Sequence, residues 1–482
     1  MSKLSSLAKD TAIYGLSSII GRFLNYLLVP LYTAKISAAA GGYGVITNIY
    51  AYTALVLVLL TFGMETTYFR FTNKTHEDSM RVYSTTLISV GTVSAAFVAL
   101  VLLLITPLSN LMGYGDHPSY VWVMAITVAI DAFLCIPFAY LRQQKKALKF
   151  AALKMLNIIM SILLNIIYFA WLAGKDVGYA FYINLVCSAM LLVCMVKELT
   201  GFSYVLDRAV LKRMLRYAWP ILILGIAGIL NQTADKMLFP YIYKGADMEM
   251  QLGIYGACVK IAMIMAMITQ AFRYAYEPFV FGGKRDKEDA ETQAKVMKYF
   301  IIFTLFAFLA VMAFMPILKY IIKSDYWEGL KVVPIVMMAE IFMGIYFNLS
   351  FWYKLTDQTW WGAIFSGIGA IALLAINFIF VPKFGYMACA WGGFAGYGIC
   401  VVLSYFVGQK KAPIPYNLKS AFGYFALALV LYFALSLIHI ENTIVALLVN
   451  CLFLLVFFAA ICWFERDLVN GVLGCVKNRK KK

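Results

Sequence analysis

Apolar and polar segments alternate along almost the whole chain. Fourteen apolar stretches of roughly 18 to 25 residues are separated by short polar segments, and each is long enough to cross a bilayer as a helix. We predict membrane spans at residues 11–34, 44–66, 83–107, 119–141, 151–172, 177–196, 217–243, 252–276, 298–322, 332–353, 359–381, 385–407, 418–438 and 443–463. The pattern therefore predicts an all-α polytopic membrane protein with about 14 transmembrane helices.

The amino-acid composition supports this fold class. Of the 482 residues, 63% are hydrophobic and 13% are charged, and the mean hydropathy is +0.81. A water-facing surface cannot hide so much apolar area, which excludes a soluble domain.

Basic residues concentrate in alternate loops. With a cytoplasmic N-terminus, about 30 of the 41 basic residues fall on the inner side, about 7 on the outer side and about 4 within spans. We therefore expect both termini to be cytoplasmic. The net charge of +17 follows from this topology and from attraction to anionic membrane lipids, and it does not indicate a nucleic-acid partner.

Cysteine and histidine give no sign of a metal site or a cofactor. The nine cysteines are scattered, none forms a CxxC pair, and nearly all fall inside predicted spans, where cysteine behaves as a small hydrophobe. His76, His117 and His439 lie in different loops. We expect no disulfide framework, no metal and no cofactor.

Similar local patterns recur in the two halves of the chain. Asn165 follows Arg142 by 23 residues, and Asn377 follows Lys354 by the same distance. The spans that come next begin with Gly178-Tyr179 and Gly385-Tyr386, while Gly42-Tyr43-Gly44 and Gly253-Ile254-Tyr255-Gly256 open the second and eighth spans. We expect a six-plus-six repeat whose pseudo-twofold axis runs along the membrane normal, with a cleft between the two lobes.

The longest inner segment separates the two lobes and has an apolar residue pattern at helical spacing, typical of an interfacial amphipathic helix. The expected domains are an N-lobe with helices 1–6 at residues 1–197, a cytoplasmic amphipathic linker at 198–216, a C-lobe with helices 7–12 at 217–408, two extra helices at 409–464 and a basic cytoplasmic tail at 465–482.

Charged residues inside spans are the candidates for function, because each costs roughly 2.5–3.5 kcal/mol to insert unless it faces a cavity or a partner. Arg22 and Lys260 have no acid within one helical turn in the sequence, which favours a lumen that binds an anion. Lys236 adjoins Asp235, and Arg273 precedes Glu277 by one turn. For Asp235 and Glu277 mutual neutralisation is the first alternative.

Two further acids and three amides complete the candidate set. Asp131 and Glu340 either take up protons during transport or form interhelical hydrogen bonds. Asn25, Asn231 and Gln270 either line the cavity or join neighbouring helices. The excess of cations favours an anionic cargo, and arginine in particular suits phosphate because its planar guanidinium donates to two oxygens at once.

Several segments carry a resemblance to a known family: Leu16 to Thr33 (LSSIIGRFLNYLLVPLYT), Gly42-Tyr43-Gly44, Gly63-Met64-Glu65 with Arg70-Phe71, Leu252 to Ala262 (LGIYGACVKIA) and Gln270 to Phe279 (QAFRYAYEPF). With the fourteen-span plan, the chain resembles a Wzx-type polysaccharide flippase of the multidrug/oligosaccharidyl-lipid/polysaccharide (MOP) exporter superfamily.

The resemblance implies that the protein moves an undecaprenyl-pyrophosphate-linked oligosaccharide across the bacterial inner membrane by rocking of the two lobes. It implies contact of the pyrophosphate or of acidic sugars with Arg22 and Lys260, with Arg273 at the cytoplasmic entrance and Lys236 as a further candidate. The implied partners are the lipid-linked oligosaccharide, membrane lipids, and a polysaccharide polymerase with its chain-length regulator.

Three alternatives remain open at this point. A multidrug antiporter of the same superfamily is expected to carry an acid in its first span, whereas this span carries Arg22 and no acid after Asp10. A lipid II flippase typically has several arginines in and around its first two spans, and here Arg22 and Arg70 are the ones present. An enzyme is disfavoured because the short outer loops contain no His/Asp or Ser/His grouping.

Overall fold

The computed structural model of the protein describes residues 20, 24, 26–74, 78–282, 287–356, 358–438, 440 and 442–466, with the backbone alone described at 74, 274–275, 277–279, 281–282 and 287–289. Within these residues the regular structure is entirely helical. The terms inner and outer below refer to the orientation predicted from the basic residues.

Fourteen helices, numbered in chain order, correspond to the predicted spans. They are α1 (Leu28–Lys35), α2 (Gly42–Thr61, continued by Met64–Lys74), α3 (Ser79–Leu103), α4 (Pro118–Gln143), α5 (Ala147–Asn165, continued by a π-turn at Ile166–Trp171), α6 (Gly178–Cys194), α7 (Arg208–Ile242), α8 (Met248–Gly282), α9 (Lys287–Ala313), α10 (Val333–Leu349), α11 (Trp360–Phe384), α12 (Tyr386–Lys411), α13 (Leu418–Leu437) and α14 (Thr443–Phe464). Short helical turns connect them at Ala38–Ala40, Ile105–Leu111, Val196–Leu199, Met315–Leu318, Lys319–Ile321, Ser324–Val332 and Phe351–Leu355.

The helices confirm the polytopic fold class. Twelve of them, α2 to α5 and α7 to α14, are long and apolar enough to cross a membrane, and α6 is a shorter apolar helix. Most of the first predicted span, residues 11–34, precedes α1 and lies outside the described residues.

Helix packing follows the six-plus-six repeat. In the first half, α4 contacts α2, α3 and α6, and α5 contacts α6. In the second half, α10 contacts α8, α9 and α12, and α11 contacts α12. The end of α5 also meets α1, as α11 meets α7. Both α13 and α14 pack on α9, outside the repeated set.

The linker differs from the expected separate segment, because its helical part and the seventh span form one continuous helix, α7. The boundary expected at residue 216 therefore lies inside α7. The first turns of α7 pack on the N-lobe, where Met214 and Ala218 share a buried cluster with Tyr68 and Tyr83. The hydroxyl of Tyr83 also donates to the carbonyl oxygen of Glu198 at 2.8 Å.

The stretch just before α7 is held to the N-lobe as well. Arg81 forms an ion pair with Asp207 at 2.8 Å, and the backbone N–H of Val205 donates to the Ser84 hydroxyl at 2.6 Å. The linker and the inner end of α7 thus pack against α2 and α3.

The two lobes meet at the outer ends of α2 and α8. A Cβ atom on Gly253 would lie 3.0 Å from the backbone nitrogen of Gly44, and one on Gly44 would overlap the carbonyl oxygen of Glu249. One turn deeper, a Cβ on Gly256 would overlap the side chain of Thr47. The backbones approach so closely because these positions lack side chains. We call this crossing the outer contact.

Hydrogen bonds extend the outer contact to neighbouring helices. The Tyr326 hydroxyl, between α9 and α10, donates to the carbonyl oxygen of Ile36 at 2.8 Å. The Asn48 amide of α2 donates to the carbonyl oxygen of Lys236 in α7 at 2.8 Å. The lobes are therefore joined at the outer side by direct polar and backbone contacts.

Substitution of Gly253 tests the outer contact. Gly253→Leu forces α2 and α8 apart, and we expect it to cost about 1–3 kcal/mol, as overpacking of a close contact does. The measurement is the thermal unfolding midpoint of the purified protein in detergent. Gly423→Leu on α13, where a Cβ would meet no atom within 4 Å, is the control and should leave the midpoint unchanged. Equal unfolding midpoints for the two variants would contradict the close approach of α2 and α8.

Candidate functional site

Polar side chains gather just inside the outer contact. Asp235 on α7, Tyr255 on α8 and Glu340 on α10 each lie seven residues from the outer end of their helix, which places them about 10 Å below it at 1.5 Å per residue. We define the central cluster as these three residues together with Gln232, Lys236, Lys260 and Tyr397, each of which forms a hydrogen bond with another member or lies close enough to one to interact electrostatically.

The Asp235 carboxylate is the most fully engaged group of the cluster. It is buried, accepts from the Lys236 ammonium at 2.8 and 3.0 Å, and accepts from the Tyr255 hydroxyl at 2.6 Å. Lys236 donates further to the carbonyl oxygen of Gln232 at 3.1 Å and lies 5.2 Å from the centre of the Tyr255 ring. Asp235 and Lys236 thus neutralise one another, which is the first alternative that the sequence gives for this acid.

Lys260 is placed differently. Its side chain is half-buried on α8, and no described carboxylate lies within ion-pair distance of its ammonium. The charged group that acts on it is another cation, Lys236. Among the described residues, Lys260 therefore contributes a positive charge to the cluster that no acid pairs with directly.

Glu340 is the second acid of the cluster. Its Oε2 atom is buried without a hydrogen-bond partner among the described residues, and the charge acting on it is that of Lys236. An interhelical hydrogen bond to this oxygen, one of the two sequence alternatives for Glu340, is thus not present in the described part of the chain.

The central cluster contains two lysines, Lys236 and Lys260, and two carboxyl groups, Asp235 and Glu340. The cation excess expected from the sequence also includes Arg22 and Arg273. Arg22 is outside the described residues, as is Asn25.

Arg273 lies far from the cluster, towards the inner end of α8. It follows Lys260 by 13 residues on the same helix, which corresponds to about 20 Å. Its side chain is exposed, and the guanidinium lies 4.5 Å from the centre of the Phe347 ring. Gln270 is half-buried one turn before Arg273, and the side chain of Glu277 is outside the described residues. Arg273 therefore lies towards the inner end of α8, outside the cluster.

Asp131 belongs to the N-lobe. It accepts a hydrogen bond from the Ser188 hydroxyl of α6 at 2.7 Å, which is the interhelical bond given as one alternative. Lys154 of α5 lies within Coulombic range of it and 4.1 Å from the centre of the Phe138 ring. The sequence pattern assigns Lys154 to the inner surface, because it lies only four residues into the fifth predicted span.

Asn231 joins helices of the C-lobe. Its amide donates to the carbonyl oxygen of Ser366 in α11 at 2.9 Å and to that of Ala227 at 3.1 Å. Its own carbonyl oxygen is buried without a partner among the described residues.

Tyr397, which lies near Glu340 and Asp235, is a cluster residue that sequence reasoning misses, because one tyrosine in an apolar helix carries no distinguishing signal.

Comparisons with known proteins were made for the sequence and for the fold. Residues 40–330 match the family described as "Polysaccharide biosynthesis protein". The chain is similar to a solved structure of the lipid II flippase MurJ in an inward closed conformation, with a TM-score of 0.74, 16% identity, and coverage of 94% of this chain and 99% of that one. No curated protein sequence matches the chain.

Two multidrug transporters of the MATE family, which belong to the MOP superfamily, are also similar. An inward-facing structure has a TM-score of 0.65 at 17% identity and covers 81% of this chain and 94% of that one. An outward-facing structure has a TM-score of 0.57 at 16% identity, with coverage of 83% and 95%. At these identities the likeness establishes the fold. The sequence match over residues 40–330 shows that the chain belongs to the polysaccharide biosynthesis protein family, and the solved structures show that it shares their fold.

Proposed function

We propose that the protein is a flippase that moves an undecaprenyl-pyrophosphate-linked oligosaccharide, the repeat unit of an O-antigen, capsule or exopolysaccharide, from the cytoplasmic to the outer leaflet. The observation that carries this proposal is Lys260, a membrane-embedded cation without a described carboxylate partner, in a polar cluster between helices of a two-lobed transporter fold. The polysaccharide family and the likeness to a lipid II flippase support it.

The cluster has the chemistry that a charged sugar headgroup needs. Lys260 attracts a phosphate oxygen, and Lys236 supplies a second ammonium close to it. The Glu340 carboxylate accepts hydrogen bonds from sugar hydroxyls, and the Tyr255 hydroxyl, which donates its proton to Asp235, accepts one as well. A pyrophosphate dianion is attracted by the lysines and repelled by any ionised carboxylate, which orients the headgroup.

We assign Arg273 to the cytoplasmic entrance and Arg22 to the lumen, as the family resemblance implies. On the inner half of α8, Tyr276 and Val280 share a buried group with Phe351, and no described N-lobe residue belongs to this group. Contact between the lobes at the outer ends, with this inner group formed by the C-lobe alone among the described residues, supports an inward-facing state, in which cargo enters from the cytoplasm. Opening of the outer contact then releases it outwards.

The protein is proposed to lie in a bacterial inner membrane with both termini in the cytoplasm. Its proposed partners are membrane lipids and, on the outer side, a polysaccharide polymerase with its chain-length regulator. Downstream polymerisation would consume the flipped repeat unit.

A lipid II flippase is the second candidate function, favoured by a structural likeness to MurJ that extends over 94% of the chain. Its cargo is also a polyprenyl-pyrophosphate saccharide, so the same cluster chemistry applies. A cation-coupled multidrug antiporter fits less well, because Lys260 would repel a cationic drug within the cluster.

Removal of the Lys260 charge tests the proposal. Lys260→Ala should lower surface polysaccharide about 10- to 100-fold, because a hydrogen bond to a charged group contributes about 1.5–3 kcal/mol, while the amount of protein in the membrane stays constant. Lys260→Arg should retain part of the activity. The readout is polymer per cell in a strain that lacks the native gene, with membrane protein quantified by immunoblot.

Lys383→Ala, at the exposed outer end of α11, is the matched control and should leave polymer output unchanged. Normal output from Lys260→Ala would contradict the assignment of the cargo site. Cell lysis on depletion, without loss of surface polymer, would favour the lipid II function instead.

A reversible cross-link tests alternating access. Cysteines replacing Thr47 and Gly256 would lie close across the outer contact, since a Cβ on Gly256 lies 3.0 Å from that of Thr47. Oxidation of the Thr47→Cys/Gly256→Cys double variant should stop transport of a fluorescent lipid-linked oligosaccharide in proteoliposomes, because the outer side cannot open. A thiol reductant should restore it.

Each single cysteine variant, oxidised in the same way, is the control for the nine native cysteines. Undiminished transport by the fully cross-linked double variant would show that the outer contact does not open during the cycle.

A further inference from the structure

A groove lies on the membrane-facing side of the N-lobe, where α2 changes direction. Phe62 and Gly63 both adopt positive φ angles, 49° and 65°, and they separate the two helical parts of α2. The adjoining groove has a volume of about 330 Å³, within the range of small-molecule sites. Its lining is almost wholly apolar and comes from α2, α3 and the linker.

The linker and the start of α7 form one wall of the groove through Leu206, Leu211 and Leu215. Several lining side chains remain open to the surroundings: Val93 is 50% exposed, Leu206 44% and Leu215 40%. In a membrane such apolar surface faces lipid, so the groove is continuous with the bilayer rather than with water.

The depth of the groove matches one leaflet. The lining residues Ile88 and Val93 follow the inner start of α3, Ser79, by 9 and 14 residues, which corresponds to about 14 and 21 Å along the helix. The groove thus runs from the inner interface to near the middle of the membrane. An acyl chain of an inner-leaflet lipid covers the same range, because the hydrocarbon core is about 30 Å thick.

The rim of the groove at the interface is basic. Arg208, Lys212 and Arg216 are exposed on the first turns of α7, the same turns that supply Leu211 and Leu215 to the wall. Successive residues of α7 are rotated by 100° around the helix axis. Arg208 and Lys212 therefore lie within about 100° of Leu211, on the same side of it as Leu215. No described residue forms a hydrogen bond or an ion pair with these three basic side chains.

The nearest acid in the sequence does not offset this charge. Asp207 is paired with Arg81 at 2.8 Å and also accepts from the backbone N–H groups of Ala209 and Val210 at 2.8 and 3.1 Å. One turn of helix beyond Arg216, Trp219 is 57% exposed, as interfacial tryptophans are. Apolar groove, basic rim and interfacial aromatic ring therefore occur together on one face.

We propose that this groove is a binding site for an anionic phospholipid of the inner leaflet, with an acyl chain between α2, α3 and the linker and its phosphate held by Arg208 and Lys212. Charge complementarity selects an anionic lipid over a zwitterionic one, since clustered Lys and Arg at the cytoplasmic end of membrane helices attract anionic headgroups. The site lies on the α2–α7 side of the molecule and does not depend on the proposed transport function.

Lipid titration of the purified protein tests this site. Dioleoylphosphatidylglycerol added to the protein in detergent should raise the thermal unfolding midpoint and bind in native mass spectra, whereas dioleoylphosphatidylcholine should do so at least tenfold more weakly. Arg208→Gln/Lys212→Gln should weaken phosphatidylglycerol binding by about 25-fold, or about fivefold per residue, because each Lys or Arg near the surface contributes about 1 kcal/mol.

Lys410→Gln/Lys411→Gln removes the same charge from the exposed inner end of α12 and is the matched control. Val93→Trp, which fills the apolar part of the groove, should also abolish the selective binding without removing charge. If Lys410→Gln/Lys411→Gln lost as much phosphatidylglycerol binding as Arg208→Gln/Lys212→Gln, the proposal would be overturned. Such a result would show that the lipid is attracted by overall charge alone. Equal binding of both lipids by the wild type, or stronger binding of undecaprenyl phosphate at the same site, would overturn it as well.

Discussion

The close approach of two helix backbones at Gly44 and Gly253 is the constraint on which the arrangement of the site depends. In a membrane, apolar side chains gain nothing by leaving lipid for each other, so helices associate by tight packing and interhelical hydrogen bonds. The absence of side chains at the crossing brings α8 against α2 and thereby fixes the height of Tyr255 and Lys260 below the outer surface. The hydrogen bond from Tyr255 to Asp235 depends on that register.

Low dielectric explains how the charges of the cluster are organised. Asp235 is buried and accepts from an ammonium and a phenol, so its charge is compensated within the protein. Lys236 is thereby committed to a structural pair and at the same time acts on Lys260 and Glu340. The cluster therefore contains one ion pair, Asp235 with Lys236, and beside it Lys260 and Glu340, neither of which forms an ion pair with a described residue. Under the proposed function, the ion pair holds the site together and Lys260 meets the cargo.

Much of the fold follows from the sequence, because the membrane restricts spanning segments to helices of known length and the basic residues indicate orientation. The repeat was visible from Asn165 and Asn377 with their neighbouring glycines, and helix packing has the same repeated order. Hydropathy could not show that α7 begins at Arg208. The charged residues of the first, amphipathic turns end the apolar stretch, but they do not end the helix. Hydropathy likewise placed Lys154 at the surface, since burial beside Asp131 is decided by helix tilt and packing.

The continuity of α7 has a mechanical consequence. Its first turns are fixed to the N-lobe through Met214 and Ala218, while Asn231 fastens its later turns to α11 of the C-lobe. Any rotation between the lobes must be absorbed as bending or torsion in the stretch between. That stretch contains Pro220, which leaves the carbonyl of Arg216 without its usual helical donor, and two glycines at 225 and 228. The bending stiffness of α7 would therefore oppose any such rotation.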